Sequence, residues 1–195
     1  MNLPCVESAE QNKRAIYAAI ASYLRGDALE IGSGTGQHAV FFAELAPEVT
    51  WQTSDLESSL PGIEARIQAS GLDNLPPPIV LDVLGEWPAR QYDFAFTANS
   101  FHIMTIEMVA ACIAGIGASL KPGGIFAVYG PFNYGGEFTS DSNASFDQML
   151  RLRDPASGIK HFEWIAERAG EAGLELLDDV EMPENNRTLL WQKRT

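Results

Sequence analysis

Cysteine is almost absent from this 195-residue chain: there are two, Cys5 and Cys112. That is too few for a disulfide framework and points away from a small stapled secreted domain. Cys112 falls in an apolar helical stretch and is expected in the core, Cys5 near an end. Basic residues are also scarce, 13 Lys plus Arg against 26 Asp plus Glu, for a formal charge of -13. Such a chain is not drawn to a phosphate backbone, so no nucleic-acid partner is expected. Arg151, Arg153 and Lys160 lie close in sequence but read as a solvated face rather than a basic patch. The longest run free of charge and of strongly polar groups, Met108 to Ser119, is too short to span a bilayer. The first residues lack the basic and apolar regions of a signal peptide. No membrane association and a cytoplasmic location are therefore expected. The three histidines are far apart and no Cys/His cluster has metal-ligand spacing, so no metal is expected.

Hydrophobic residues make up 46% of the chain, enough for the core of one domain spanning 1–195. Ile16, Ile20 and Leu24 mark an amphipathic helix over Glu10 to Leu24. Strands are expected at Ala28 to Ile31, Val49 to Ser54, Ile79 to Leu81, Tyr92 to Thr97 and Ile125 to Tyr129. Helical patterns lie between them: one ending near Pro47, one over Pro61 to Ser70, and one striped by Ile106, Val109, Ile113, Ile116 and Leu120. Lys121-Pro122-Gly123-Gly124 breaks the last of these. Pro131 to Asp141 has no period, being too polar for a strand and too aromatic for a plain linker. Helices over Ser142 to Arg153 and Lys160 to Ala172 follow, then strands over Leu174 to Val180 and Thr188 to Gln192. Alternating strands and helices predict an α/β fold with a mainly parallel sheet. The connection between the last two strands is too short for a crossover, so one strand near the C-terminus should run antiparallel.

The densest chemical signal is Leu29-Glu30-Ile31-Gly32-Ser33-Gly34-Thr35-Gly36, a strand running into a loop with glycine at every second position and then into a helix. Such a loop exposes bare backbone at the carboxyl end of a strand, where doubly wound sheets hold ligands. Its G-x-G-x-G spacing differs from the dinucleotide fingerprint G-x-G-x-x-G. A turn without a ligand is the alternative. Asp55 ends the second strand and suits a pair of ribose hydroxyls, or simply the N-cap of the next helix. Asp82 ends the third strand with apolar Val83 after it, and a plain turn explains it equally well. Asn99 follows the fourth strand.

The glycine loop, with Glu30 before it, resembles motif I of class I S-adenosylmethionine-dependent methyltransferases. Ala9-Glu10-Gln11-Asn12-Lys13, Ser33-Gly34-Thr35-Gly36-Gln37-His38-Ala39 and Trp51-Gln52-Thr53-Ser54-Asp55 resemble segments of the methyltransferase-like 26 family. So do Tyr129-Gly130-Pro131-Phe132, Ser142-Asn143-Ala144-Ser145-Phe146-Asp147, Leu152-Arg153-Asp154-Pro155 and Glu181-Met182-Pro183-Glu184-Asn185-Asn186. The likeness covers nearly the whole chain. It implies a three-layer Rossmann-like class I methyltransferase fold, with a seven-stranded, mostly parallel sheet and one antiparallel strand near the C-terminus. It also implies S-adenosyl-L-methionine as cofactor and S-adenosyl-L-homocysteine as product.

On that resemblance Glu30, Gly32, Ser33, Gly34, Gly36, Asp55, Leu56, Asp82, Val83 and Asn99 are the expected cofactor contacts. Asp82 would take the adenine amino group, Val83 the ring face, and Asn99 would lie beside the sulfonium. Methyl transfer is an in-line displacement in which alignment supplies most of the acceleration. His102 is the candidate base where one is needed, with a structural hydrogen-bonding role as the alternative. Tyr134 is a second candidate for moving a proton. His38 reads as cofactor-side packing or capping, and His161 as a surface residue. Residues 131–160 are the expected acceptor-side lid, glycines at 130, 135 and 136 allowing movement. Glu10, Asn12, Lys13, Tyr129, Phe132, Asn133, Asn185 and Asn186 are the expected acceptor contacts, although a turn alone would explain the Asn pair. The (N/D)-P-P-(Y/F) tetrapeptide of enzymes that methylate nucleobase or glutamine amino groups is absent, and no added domain grips a macromolecule. A small-molecule acceptor is favoured. The alternatives are a non-catalytic S-adenosylmethionine-binding or interaction module and a nicotinamide oxidoreductase, the last disfavoured by the glycine spacing and the terminal hairpin.

Overall fold

A computed structural model describes residues 3–195. Seven strands make the main sheet: β1 Asp27–Ile31, β2 Thr50–Asp55, β3 Ile79–Val80, β4 Tyr92–Ala98, β5 Leu120–Gly130, β6 Leu174–Met182 and β7 Asn186–Lys193. Their order is β3-β2-β1-β4-β5-β7-β6. The first five pair in parallel, and β7 runs antiparallel to both β5 and β6. Only the short turn Pro183–Asn185 joins β6 to β7, which leaves the chain no length for a crossover. The order reverses between β1 and β4, so a crevice opens at the carboxyl ends of those strands.

Strand alternation sorts the core into two halves. Leu29, Ile31, Phe126 and Val128 face one side, where α4 (Ile106–Ser119) and α6 (Phe162–Glu171) bury Val109, Ile113, Ile116 and Ile165. Ala28, Phe94, Phe96 and Ala127 face the other, against Ile16 of α1 (Glu7–Ile20), Phe42 of α2 (Gln37–Leu45) and Ile63 of α3 (Leu60–Ser70). This gives the three expected layers. Cys112 is buried in α4, where the apolar surroundings push its thiol up to about 12.

The elements depart from expectation in three places. Helix α1 starts at Glu7 rather than Glu10 and closes in a 3-10 turn over Ala21–Tyr23. β5 already pairs with Tyr92 at Leu120, and the register then jumps to Phe94 with Ile125, so Lys121 to Gly124 bulge out as one interruption. Phe132–Asn133 pairs in parallel with Lys160–His161, which ends the irregular segment and delays α6 to Phe162. That pairing brackets α5 (Asp141–Arg153), which Ser140 caps by accepting from the Asn143 N–H at 3.1 Å. The segment is tied to the loop after β4: Gly158 N–H donates to the His102 carbonyl at 2.9 Å and the Lys160 ammonium to that of Met104 at 2.6 Å.

Candidate active site

The glycine loop runs from β1 into α2 with Gly32, Gly34 and Gly36 all at positive φ, +69°, +57° and +73°. Any side chain there would strain the backbone, and space over Gly34 is open. The loop is held from below and from the side. Ser33 N–H donates to the Ser54 carbonyl at 2.9 Å, and Ser54 Oγ donates to the Glu30 carbonyl at 2.6 Å. Asp55 accepts from Gly34 N–H at 2.8 Å and, through its other oxygen, from Leu56 N–H at 2.8 Å. Its carboxylate is thereby fixed at the crevice edge with lone pairs to spare.

Glu30 lies beneath the loop rather than on its open side. It is 2% exposed and accepts from Trp51 Nε1 at 3.2 Å. Burial raises its carboxyl to about 7, against the lowering effect of the Trp51 and Ser33 hydrogen bonds. This residue supports the loop. Asp82 is exposed two residues beyond β3 and accepts from Leu84 N–H at 2.9 Å, so it forms a turn and also faces solvent. Val83 departs from the expected ring contact: it lies in the turn that follows β3 and is buried in the core with Leu81. Exposed apolar side chains flanking these carboxylates include Leu56, Val80 and Leu84.

Asn99 sits at the end of β4 with φ +56°, its N–H donating to the Tyr129 carbonyl at 2.9 Å. It lies between two chambers of about 540 and 380 Å³, which also share Ser8, Glu184 and Asn186. Gln11, Asn12 and Tyr129 line the larger chamber; His102, Asn143 and Phe146 line the smaller. Asn99, Glu184 and Asn185 are the non-glycine residues at positive φ among those described, and all lie at this end of the sheet. Strain held at one place is a mark of functional sites. Tyr129 is buried, which raises its pKa, and the nearby side chains of Asn12 and Asn186 counter that rise.

Several expected contacts are not brought here. Glu10 and Lys13 pair with each other at 2.5 Å, and Lys13 sits 4.9 Å over the Phe41 ring, because they occupy a different face of α1 from Ser8, Gln11 and Asn12. Phe132 is 1% exposed and packs in the core, and Asn133 is buried outside both chambers. Asn185 borders a neighbouring cavity of about 420 Å³ with Tyr134, Thr139 and Arg187, joined to the chambers through Asn186. Tyr134 belongs to that cavity and not to the Asn99 chambers. Its hydroxyl donates to Asp179 at 2.8 Å, and burial plus that carboxylate push its pKa up, so it is held as a donor and ill suited to shuttle protons. His102 does line the smaller chamber, but burial and the Lys160 ammonium lower it to about 4. It is neutral at pH 7 and a weak base, which counts against its expected role, and its ring packs edge-on against Phe146 with centroids 5.1 Å apart.

Two residues that sequence reasoning left aside hold the site together. Gln37 is buried at the start of α2, accepts from Val6 N–H at 2.7 Å and donates to Glu10 at 2.6 Å, locking the start of α1 onto the loop. Arg66 of α3 donates to the Thr35 carbonyl at 2.5 Å and also to that of Pro4. Gln37 stood inside a quoted motif, and its position directly after the loop was the available signal. His38 fits its packing role, bonded to Asn12 at 2.7 Å and stacked on Phe42, with burial lowering it to about 4.

A family model described as "Protein of unknown function (DUF938)" matches residues 4–193. Among solved structures, the chain is similar to the S-adenosylmethionine-dependent methyltransferase SibL in its apo form, at 17% identity and TM-score 0.83, covering 96% of this chain and 56% of that one. It is similar to an O-methyltransferase family protein from Burkholderia thailandensis, at 16% identity and TM-score 0.82, covering 96% and 56%. It is also similar to human N-acetylserotonin methyltransferase in complex with SAM, at 16% identity and TM-score 0.81, covering 97% and 53%. The chain thus spans about half the length of these neighbours and has the class I methyltransferase fold.

Proposed function

The chain belongs to the DUF938 family, described as of unknown function, and we propose that it is an S-adenosylmethionine-dependent methyltransferase that acts on a small-molecule acceptor. The finer assignment, to the methyltransferase-like 26 family, rests on the quoted motifs. One observation carries the reading: a bare, positive-φ glycine loop faces a carboxylate that its own N–H holds in place, at the switch point of a β3-β2-β1-β4-β5-β7-β6 sheet.

The residues present fit the cofactor. Open space over Gly34 accepts the close approach of a ligand, and the spare lone pairs of Asp55 suit two adjacent hydroxyls. Asp82, with one oxygen held by Leu84 N–H, would take an amino group, and Leu56 and Leu84 would cover the faces of a flat ring. Glu30, Ser33 and Ser54 keep the loop in shape. When bound, S-adenosylmethionine supplies an electrophilic methyl on a sulfonium. Asn99 and the Asn12–Tyr129–Asn186 group would then orient an acceptor in the adjoining chambers, and alignment would do most of the chemical work. Among the described residues no helix is long and apolar enough to cross a membrane and no group of residues could hold a metal ion. The scarcity of cysteine supports a cytoplasmic location.

Calorimetric titration with S-adenosylmethionine and S-adenosylhomocysteine, with NADH as control, tests this reading. Micromolar binding of the sulfur ligands alone is expected. A folded protein that binds neither, or that binds NADH instead, refutes it.

A further inference from the structure

The two chambers beside Asn99 have an unusual lining. Side-chain amides of Gln11, Asn12, Asn99, Asn143 and Asn186 dominate, with hydroxyls from Ser8 and Ser142. Among the described residues, Glu184 carries the one formal charge in that lining. No lysine or arginine lines either chamber, and His102 is held neutral. Glu184 is exposed at the chamber rim on the turn between β6 and β7, kept there by a left-handed backbone at φ +59°. It lies near enough to Tyr129 for its charge to act on the phenol.

This lining selects by charge. A carboxylate or phosphate entering it would find amide N–H donors but no cation, and would face the Glu184 carboxylate. A phenolate or alkoxide nucleophile would meet the same deficit. An alcohol would also need a base strong enough to take its proton, and the imidazole in reach is a poor one. An amine avoids the charge deficit, and the proton its ammonium must lose goes to water before transfer rather than to a protein base. Its N–H groups find amide oxygens, its lone pair needs no base once the free amine is present, and its charged form is drawn to a chain of net charge -13.

We propose that the acceptor is a small amine, bound in the Asn99 chambers with its nitrogen facing Glu184 and methylated on that nitrogen. This rests on the transferase reading above and goes beyond it. The ammonium first gives its proton to water. The nitrogen lone pair then forms the N–CH3 bond as the C–S bond breaks, and sulfur keeps that electron pair. Positive charge moves from sulfur to nitrogen, where the Glu184 carboxylate stabilises it as it develops. The product is a methylated ammonium with two N–H protons, one of which it can release to water after it leaves.

Saturation-transfer NMR on the full chain saturated with S-adenosylhomocysteine tests the proposal with two matched sets: benzylamine, benzyl alcohol and benzoate; then 2-phenylethylamine, 2-phenylethanol and phenylacetate. The amines should bind about tenfold more tightly than the carboxylates, the scale of one charge-assisted contact against an unpaired charge. Glu184→Gln should erase most of that preference. Equal binding across a set, preference for a carboxylate, absence of amine binding, or a preference untouched by Glu184→Gln would each overturn the amine assignment. Failure of the transferase reading is seen separately, as absence of S-adenosylhomocysteine binding in the preceding titration.

Discussion

Replacing Glu30 by Gln should make the folded protein more stable in mild alkali. The carboxyl is 2% exposed, and burial raises it from 4.5 to about 7. Between those values the folded chain holds a proton that the unfolded chain has released, so stability falls as pH rises across the window. The stability from the protonated form is complete below 4.5 and gone above about 7. A shift of that size corresponds to about 3 kcal/mol at 1.36 kcal/mol per unit. Gln keeps an acceptor for Trp51 Nε1 and cannot ionise. Urea unfolding of both proteins between pH 4.5 and 8.5 is the assay. The native chain should lose about 3 kcal/mol across the range beyond whatever slope the variant shows. Parallel pH profiles would refute the reasoning, because they would mean that Glu30 ionises in the folded state as easily as in the unfolded one.

Asp55→Ala should weaken S-adenosylmethionine binding by about 1–3 kcal/mol, the range for hydrogen bonds to a charged group; unchanged calorimetric affinity in a folded variant would remove Asp55 from the site. Gly117→Ala would place a Cβ 2.6 Å from the Ala172 carbonyl oxygen, where the end of α6 crosses α4. It should lower stability by about 1–3 kcal/mol in thermal or urea unfolding, and a neutral or raised midpoint would disprove that close approach. Tyr134→Phe removes the donor to Asp179, which keeps Arg187 at 2.7 Å, so the expected loss is only about 1 kcal/mol of stability. A hundredfold fall in turnover would instead restore a proton-shuttling role to Tyr134.

Most of the fold could be read from the chain, because each element carries its own period and its own stop. Of the stripe Ile106, Val109, Ile113, Ile116 and Leu120, the middle three became the buried face of α4, while Ile106 stayed exposed and Leu120 opened β5; the brevity of the Pro183–Asn185 turn dictated an antiparallel end. Local signals failed where pairing partners lie far off in sequence. Nothing near Phe132 indicates that it will pair with Lys160, and the early start of β5 depends on Tyr92 standing beside Leu120.

The same division runs through the site. The sequence by itself determined the glycine loop, the carboxylates at the ends of β2 and β3, and Asn99 after β4, since strand ends and glycine spacing are local properties. Tertiary structure decided which residues share a space. The turn after β3 put Val83 in the core, and helix phase put Asn12 in the chamber and Lys13 outside it. Burial beside Lys160 took His102 from candidate base to neutral partner, and Asp179, far along the chain, held Tyr134 as a donor. Orientation, burial and charge environment depend on contacts between distant segments, and these form only when the sheet and its two helical layers close together.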